Sequence, residues 1–361
     1  MKQEYKELLK ELVAMKPVSS DVAAVNNVSA RIEEFLKARG VRVVREDVNG
    51  RNTLYASSLP EGKTTKLLFN SHIDVVPLAN PEQGEAVEKD GRIYGRGVGD
   101  CLGHAVALVQ LLCENKNCSF GAIFTTDEEI GGLTTAEMLR RGYVGTEGVV
   151  ILDCWSDGDL AFGEKGMLNV RITAHGKGGH AAYPWDAVNA LDLLIAGYSR
   201  LRAEWKNADS ADSWSDTMSA TAISCDSTAF NVVPGEASMV LNIRYTAIDG
   251  EAAVIERIKK ATGLDDVKLL DDCAVPVVCD ENAPFLLKVA EIAADVRGKR
   301  PRFYKMHGAT DARHVAQICP GVPILMDGCR HGGIHSAGEW MDLEDFDNVI
   351  SIYGKLIKEN A

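Results

Sequence analysis

The amino-acid sequence predicts an α/β protein, in which a doubly wound mixed sheet forms a larger domain and a smaller α+β domain is inserted into it. Up to about residue 164, short apolar runs without charge alternate with helical patterns, which is typical of buried strands in a doubly wound sheet. From about residue 166 the strands instead alternate apolar and polar residues, as half-exposed antiparallel strands do. After residue 279 the first pattern returns. The chain of 361 residues is also longer than one core usually supports, which favours two domains.

The elements of the first half are predicted in order from these patterns. Leu8, Leu9, Leu12 and Val13 share one face of an N-terminal helix. Two further helices and three apolar strands follow before the change of pattern. The predicted helices span 26–38 and 103–113, and the strands 66–70, 122–125 and 149–152.

The insertion reads strand, helix, strand, strand, helix, which predicts a small α+β domain of the ferredoxin-like type. The remaining chain adds one helix and one apolar strand to the larger domain. We therefore predict a discontinuous domain of residues 1–165 and 277–361 and an inserted domain of 166–276. The elements concerned are strands at 168–174, 221–224 and 237–245, helices at 187–201 and 250–261, and then the helix at 284–296 and the strand at 322–326.

Composition and charge exclude several classes of protein. The net charge of −13, without a basic block to offset it, argues against nucleic acid as a partner. The nine cysteines lack any Cys-x-x-Cys pair and favour reduced thiols and a cytoplasmic location over a disulfide framework. The chain begins without a signal-peptide pattern, and no apolar stretch approaches the roughly 18 to 20 residues of a membrane helix. We expect no membrane association.

Four apolar runs are each followed by residue types that bind metals. His72 follows the run 66–70, Glu128 and Glu129 follow 122–125, Asp153 follows 149–152, and His335 comes after 322–325. In open α/β sheets, ligands bind outside the carboxyl ends of the strands. The sequence therefore predicts a metal site built on the sheet.

Taken singly, these motifs have ordinary explanations. His72 and Asp74 could be a loop histidine beside a surface carboxylate, although a shared face would let Asp74 orient the imidazole. Asp100, after the glycine-rich turn 95–99, could be a helix N-cap. The acidic run at Glu128 and Glu129 could be solvated, although a bound cation would relieve its repulsion, and one glutamate could ligate while its neighbour acts as a base.

Taken together, two histidines and three carboxylates form the nitrogen and oxygen donor set expected for zinc, or for cobalt or manganese. Five ligands exceed what one tetrahedral zinc requires. Two ions about 3.5 to 4 Å apart that share a carboxylate would use them all. The set comprises His72, Asp100, Glu129, Asp153 and His335.

With these motifs in this order, nearly the whole chain resembles the M20 family of co-catalytic zinc peptidases and amidohydrolases, which includes enzymes of the carboxypeptidase G2, succinyl-diaminopimelate desuccinylase, acetylornithine deacetylase and aminoacylase-1 types. The motifs that carry the resemblance are Ser-His-Ile-Asp (71–74), Gly-Val-Gly-Asp-Cys-Leu-Gly (97–103), Thr-Asp-Glu-Glu-Ile-Gly-Gly (126–132), Leu-Asp (152–153), Gly-Lys-Gly-Gly-His-Ala-Ala-Tyr-Pro (176–184) and His-Ser-Ala-Gly-Glu (335–339).

The resemblance implies roles for these residues in a dizinc catalytic domain. His72 and Asp153 would bind one ion and Glu129 and His335 the other. Asp100 would bridge the two ions and precede a cis peptide, and Asp74 would orient His72. Glu128 would be the general base that takes a proton from a metal-bridging water and passes it to the leaving amine.

The resemblance also implies that the insertion is a lid and dimerisation domain. His180 would reach into the site of a partner subunit and stabilise the oxyanion, so a homodimer is part of this expectation. Substrate contacts are implied for Asn231 and Arg244 in the lid and for Gly308 and Thr310 in a carboxylate-binding loop. Two residues depart from the family pattern: Leu102 stands where most relatives have lysine, and His307 replaces a small residue.

The function that follows is hydrolysis of an amide bond in a small substrate with a free carboxylate, such as an N-acyl amino acid or a dipeptide. A biosynthetic deacylase of the acetylornithine or succinyl-diaminopimelate type is the alternative. A two-metal phosphoesterase is disfavoured, because it needs cations around the phosphate and these motifs are acidic. A dimeric binding scaffold is disfavoured because it would not need an intact base. The histidines without motif support, His104, His175, His314 and His331, are predicted to be structural or superficial.

Overall fold

In a computed structural model, the described residues are 1–154, 157–207, 210, 213–247, 250–270 and 273–360. They form a mixed α/β protein with one large mixed sheet, which confirms the predicted fold class. The chain divides into two compact units: Met1–Gly163, Val278–Lys305 and Thr310–Ala361 form the first, and Glu164–Val277 with Met306–Ala309 form the second. The short segment 306–309 was not predicted to leave the first unit.

The elements alternate as the sequence patterns indicate. In chain order, the first part contains α1 (Gln3–Ala14), α2 (Val22–Lys37), β1 (Arg42–Val48), β2 (Arg51–Ser57), β3 (Thr64–His72), β4 (Val87–Lys89), β5 (Arg92–Tyr94), α3 (Leu102–Glu114), β6 (Phe120–Thr125), α4 (Leu133–Arg140), β7 (Val144–Leu152) and β8 (Leu160–Glu164). The second part contains β9 (Gly166–His175), β10 (Gly179–His180), α5 (Ala190–Glu204), β11 (Thr217–Cys225), β12 (Val232–Val233), β13 (Glu236–Tyr245), α6 (Gly250–Thr262) and β14 (Asp266–Leu269). The third contains β15 (Val277–Val278), α7 (Pro284–Arg297), β16 (Phe303–Met306), α8 (Ala312–Ile318), β17 (Ile324–Asp327), β18 (His331–Gly332), β19 (Trp340–Asp342) and α9 (Leu343–Glu359).

The large sheet has the strand order β1-β2-β6-β3-β7-β17-β8-β15, with β16 also paired to β8. Its centre is parallel, because β3 pairs in parallel with β6 and β7, and β7 pairs in parallel with β17. The strands β6 and β3 are buried over most of their length, as their uninterrupted apolar sequences predict. This centre brings the carboxyl ends of β6, β3, β7 and β17 to one edge of the sheet.

Helix α3 lies at the middle of the first core. It contacts α1, α2, α9 and the strands β3 and β6, and its residues 102–112 are all buried. A helix that is apolar on all sides must be enclosed on all sides. Its N-terminus follows directly after Asp100 and Cys101, so the packing of α3 fixes the position of these two residues.

The second unit contains a four-stranded antiparallel sheet in the order β11-β13-β9-β14, with β10 and β12 paired beside it. In β13, burial alternates along the strand, as its apolar and polar alternation predicts. With α5 and α6 the order is β-α-β-β-α-β, the ferredoxin-like arrangement. The last strand, β14, was not predicted, because its four residues are half-exposed or exposed and carry no apolar run.

No described helix has both the length and the apolar character needed to cross a lipid bilayer.

The central position of α3 predicts a large effect of truncation there. Leu108 is fully buried in α3, so Leu108→Ala should lower the free energy of unfolding by about 2–5 kcal/mol. Leu133, the first residue of α4, is 60% exposed, so Leu133→Ala should change it by about 0.5 kcal/mol or less. Urea unfolding followed by circular dichroism compares the two, and equal midpoints would contradict the enclosed position of α3.

Candidate active site

The predicted ligands lie where the central strands end. His72 is the last residue of β3, Asp153 follows β7, and Glu128 and Glu129 form a short 3-10 turn that begins three residues after β6. Because β6, β3 and β7 are adjacent in the sheet, these side chains converge at its carboxyl edge. Asp100 reaches the same place from the N-terminal side of α3.

Two overlapping groups of donor atoms result. His72 Nε2 lies 2.9 Å from Asp100 Oδ1 and 3.4 Å from Asp153 Oδ1. His335 Nε2 lies 3.1 Å from Asp100 Oδ2 and 3.2 Å from Glu129 Oε2. Within each group the donor atoms all lie within 4.8 Å of one another. Asp100 belongs to both groups, one oxygen facing each.

The imidazole of His72 is oriented as a metal ligand would be. Its Nδ1 donates a hydrogen bond to the main-chain carbonyl oxygen of Asp74 at 2.9 Å, so the nitrogen that faces Asp100, and that would bind an ion after losing its proton, is Nε2. The carboxylate of Asp74, expected from the sequence to orient the ring, lies further away, with Oδ1 3.4 Å from Nδ1. That carboxylate accepts hydrogen bonds from Ser19 Oγ and from the backbone N–H of Glu128. Asp74 therefore ties the His72 segment to the Glu128 segment.

Asp100 is positioned by a buried carboxylate. Glu339 Oε1 accepts hydrogen bonds from the backbone N–H groups of Gly97, Gly99 and Asp100, and Glu339 Oε2 pairs with Arg96 at 2.5 Å. The glycine-rich turn thereby wraps around one side chain. The peptide bond from Asp100 to Cys101 is cis, as the family resemblance implied.

Glu128 stands apart from both donor groups. Its Oε1 lies 3.3 Å from Arg313 Nη1, and both side chains are largely buried. Nothing in the local sequence pattern around Arg313 places it opposite Glu128, 185 residues earlier in the chain. Glu129 thus belongs to a donor group, whereas its neighbour Glu128 faces the guanidinium of Arg313.

The electrostatics of the site follow from burying several carboxylates together. Burial raises the pKa of Glu129 to about 7 and raises the pKa values of Glu128 and Asp153. Burial alone would lower the pKa of His72, but the surrounding negative charges raise it well above its usual value. Burial would also raise the pKa of Asp100, but hydrogen bonds from His335 and His72 lower it. Burial is the largest single influence on all five groups, and only at His72 and Asp100 do the surrounding charges and hydrogen bonds together outweigh it.

The donor set fits divalent metal ions. Glu129 Oε1 is buried and has no hydrogen-bond partner among the residues that the structure describes, and only 7% of this side chain is exposed. A buried carboxylate oxygen left in this way is costly unless an ion or water meets it. Histidine nitrogens with carboxylate oxygens are a donor set that zinc, cobalt and manganese accept.

The other predicted site residues are distributed over both units. His180, Asn231 and Arg244 lie in the second unit, where His180 and Asn231 line the same pocket. Gly308 also belongs to the second unit, whereas Thr310 belongs to the first. The Thr310 hydroxyl accepts a hydrogen bond from the N–H of Ala312 at the start of α8. The predicted carboxylate-binding loop therefore crosses the boundary between the units.

Three histidines predicted to be structural or superficial border this site. His104 is fully buried, with Nδ1 3.2 Å from the sulfur of Cys101. His331 packs against Gly99, and His314 accepts a hydrogen bond from Arg313 Nε at 3.3 Å. The spacing of Cys101 and His104, three residues apart at the start of a helix, was a signal that could have linked His104 to the site.

The site has histidines and carboxylates at the carboxyl edge of a mixed α/β sheet, beside a separate, largely buried glutamate. This arrangement is that of the metal-dependent hydrolases. The chain belongs to peptidase family M20/M25/M40, whose family model matches residues 68–359. It is therefore a hydrolase that acts on amide bonds, in a family whose peptidases depend on metal.

Individual relatives agree with this assignment. The chain is 27% identical over 330 residues to a succinyl-diaminopimelate desuccinylase of Sulfurimonas denitrificans, covering 87% of this chain and 89% of that protein. Its fold matches aminopeptidase PepT from Bacillus cereus with a TM-score of 0.81 at 20% identity, covering 100% and 99% of the two chains. It also matches the M20 metallo-carboxypeptidase Sso-CP2 from Sulfolobus solfataricus with a TM-score of 0.80 at 17% identity, covering 99% of each.

The raised pKa of Glu129 predicts a pH-dependent cost in the metal-free protein. The pKa of Glu129 in the folded chain, about 7, exceeds the ordinary glutamate value of 4.5. Ionisation of this carboxylate therefore opposes folding, increasingly from about pH 4.5 to 7 and fully above pH 7. Glu129→Gln, which imitates the protonated acid, should therefore gain melting temperature relative to the chelator-treated native chain as the pH rises from about 4.5 to 7.

Thermal unfolding of both proteins across this pH range, in chelator, measures the difference. Glu61→Gln is the matched control, because Glu61 is exposed in a loop of the same unit, and its difference from the native chain should stay constant. A constant difference for Glu129→Gln as well would contradict the unfavourable burial of this carboxylate.

Proposed function

We propose that the protein is a dizinc hydrolase that cleaves the amide bond of a small carboxylate-bearing substrate, an N-acyl amino acid or a dipeptide. The observation that carries this proposal is the position of Asp100, whose two oxygens face two separate donor groups. His72 and Asp153 would hold one ion, and Glu129 and His335 the other. Co²⁺ or Mn²⁺ could substitute for Zn²⁺.

Bound there, the ions would polarise the scissile carbonyl and make water a stronger nucleophile near neutral pH. Glu128 would accept the proton of the attacking water and then donate it to the leaving amine. Its separation from both donor groups supports this role, since a carboxylate that is not a ligand keeps its oxygens for proton transfer. The contact with Arg313 would orient the Glu128 carboxylate. The hydrogen bond from the Glu128 backbone N–H to Asp74 would hold this segment beside that of His72.

A desuccinylase is the second candidate. It is favoured by the relatives, because eight of them, 25–28% identical to this chain, are named succinyl-diaminopimelate desuccinylase. A succinyl substrate carries additional carboxylates and needs cations to bind them. Asn231 and Arg244 in the second unit, with Gly308 and Thr310, are the proposed substrate contacts. Which acyl group is preferred is decided by the substrate panel below.

We also propose that the protein acts as a homodimer joined through the second unit. Strand β11 ends its sheet, and its residues 219–225 are exposed, including Ile223 at 55%. An exposed edge strand with apolar side chains is suited to pairing with a second chain. Large apolar side chains elsewhere in this unit are also exposed, among them Trp185 and Ile195.

His180 would act in the site of the partner subunit as an oxyanion donor. Its Nδ1 accepts a hydrogen bond from the N–H of Ala182 at 3.1 Å, so the neutral ring carries its proton on Nε2. An exposed Nε2–H is the group that could donate to the oxygen of the substrate carbonyl.

The proposed base predicts a selective loss of turnover. Glu128→Gln should retain two metal ions per chain and lose roughly 10²- to 10⁴-fold in kcat, because a general base contributes about that factor. The assay is hydrolysis of N-acetyl, N-succinyl and N-formyl amino acids and of dipeptides by the zinc-loaded protein.

Two controls accompany this assay. Chelator should abolish cleavage by the native chain, and Glu147→Gln, an exposed glutamate in β7, should retain it. Cleavage of the N-succinyl compounds alone would select the desuccinylase over the first candidate. Unchanged turnover by Glu128→Gln would refute the assigned base.

Cross-subunit action predicts complementation between two inactive variants. When His180→Ala and Glu128→Gln subunits are mixed and reassociated, about one quarter of native turnover should return, because half of the dimers are mixed and each has one complete site. If His180 acts within its own subunit, no mixed dimer has a complete site and no turnover returns. Native mass spectrometry establishes the dimers.

A further inference from the structure

A buried thiol lies among the proposed ligands without a role in the proposed reaction. Cys101 follows Asp100, precedes the first residue of α3, and has no exposed surface. We propose that Cys101 binds, as a thiolate, the same ion as His72 and Asp153, so that one of the two metal positions has a sulfur ligand. This proposal rests on the dinuclear centre proposed above and adds a fourth protein ligand to one ion, so that the open position for water would lie on the ion of Glu129 and His335.

The position of the sulfur supports this assignment. Cys101 Sγ, His72 Nε2 and one oxygen each of Asp100 and Asp153 all lie within 4.8 Å of one another. Sγ is 3.0 Å from Asp153 Oδ1. Zinc binds sulfur at about 2.3 Å and nitrogen or oxygen at about 2.0–2.2 Å in tetrahedral geometry, which places ligand atoms roughly 3.3–3.7 Å apart. Three of the separations among these donors, 2.9, 3.0 and 3.4 Å, are at or slightly below that spacing.

The hydrogen bonds of His104 make the sulfur an acceptor. The backbone N–H of Cys329 donates to His104 Nε2 at 2.8 Å, so this nitrogen carries no proton. The ring proton is consequently on Nδ1, which lies 3.2 Å from Cys101 Sγ. A histidine N–H donated to a ligand atom is the kind of outer contact that stabilises a charged metal ligand.

Without an ion Cys101 is a neutral thiol, because burial and the charge of Asp153 raise the pKa of its sulfur well above the usual value. Besides the N–H of His104, the sulfur meets two acceptors, Asp153 Oδ1 at 3.0 Å and the carbonyl oxygen of Leu152 at 3.2 Å. A thiol has one proton and can donate to only one of them. In the proposed arrangement the proton is released to solvent when the ion binds, and Asp153 shares the ion with the sulfur.

A second observation indicates that the cluster as a whole is built for a cation. Within the described part of the chain, Glu129 Oε1 has no hydrogen-bond partner although only 7% of its side chain is exposed, and its other oxygen lies 3.2 Å from His335. This unpaired carboxylate oxygen does not involve Cys101. A thiolate among the ligands would favour zinc or cobalt over manganese and magnesium, which prefer oxygen donors.

Cobalt replacement tests the proposal, because a thiolate bound to Co²⁺ gives a sulfur-to-metal charge-transfer band in the near ultraviolet. The purified metal-free chain is titrated with Co²⁺, and the band should grow with one equivalent and then stop. Cys101→Ser should remove the band while the visible absorption of bound Co²⁺ remains. Cys118→Ser is the matched control, since Cys118 is also buried in the first unit, with Sγ 3.7 Å from the carbonyl oxygen of Lys116, and it should retain the band.

The outcomes separate this proposal from the one on which it rests. Visible Co²⁺ absorption without the ultraviolet band would overturn the thiolate ligand and leave the dinuclear centre standing, with Cys101 as a thiol donor to Asp153. Absence of both would overturn the metal centre itself. If Cys101→Ser does not fold, X-ray absorption of the zinc-loaded native chain decides: a sulfur neighbour at about 2.3 Å supports the proposal, and a shell of nitrogen and oxygen alone overturns it.

Discussion

The site depends on the accumulation of buried negative charge at one edge of the sheet. Asp100, Glu129 and Asp153 converge there, with Glu128 close by and two histidines between them. Burial and the repulsion between neighbouring carboxylates raise the pKa of Glu129 to about 7 and raise that of Asp153, whereas hydrogen bonds with the two histidines keep the pKa of Asp100 low. The protein therefore holds a charge arrangement that favours added cations.

Rigid neighbours are what keep such an arrangement together. Helix α3 is enclosed on all sides, and the turn before it wraps around Glu339, whose carboxylate accepts three backbone N–H groups. The two anchors lie on either side of Asp100. A carboxylate shared by two ions must present one oxygen to each of them. Its position must therefore be fixed more closely than that of a ligand that contacts a single ion. The deepest packing of the first unit thus supports the residue that two donor groups share.

The sequence predicted the parts of this site that follow from strand order. His72, Glu129 and Asp153 were found because each comes directly after an apolar run, and parallel strands end together. His335 was proposed because it follows the run 322–325 at a greater distance, and Asp100 because it follows a glycine-rich turn before a helix; only their separate roles came from the family resemblance. Arg313 was missed as a site residue because its contact with Glu128 joins segments far apart in the chain, whereas His104 was missed although its contact with Cys101 is local. Strand β14 was missed because it pairs at a sheet edge with little burial.

The pair of Glu128 and Arg313 links the charge of the cluster to the chemistry proposed for it. Burial and the charge of Asp153 raise the pKa of Glu128 well above its usual value, whereas Arg313 lowers it. A general base must be ionised before it can accept a proton. Positive charge added to the neighbouring donor groups acts on Glu128 in the same sense as Arg313, since an opposite charge nearby favours the carboxylate. Binding of cations to the donor groups would therefore balance the negative charge of the ligands and also ionise Glu128. A chain without its cations would lack both the electrophilic centre and a competent proton acceptor.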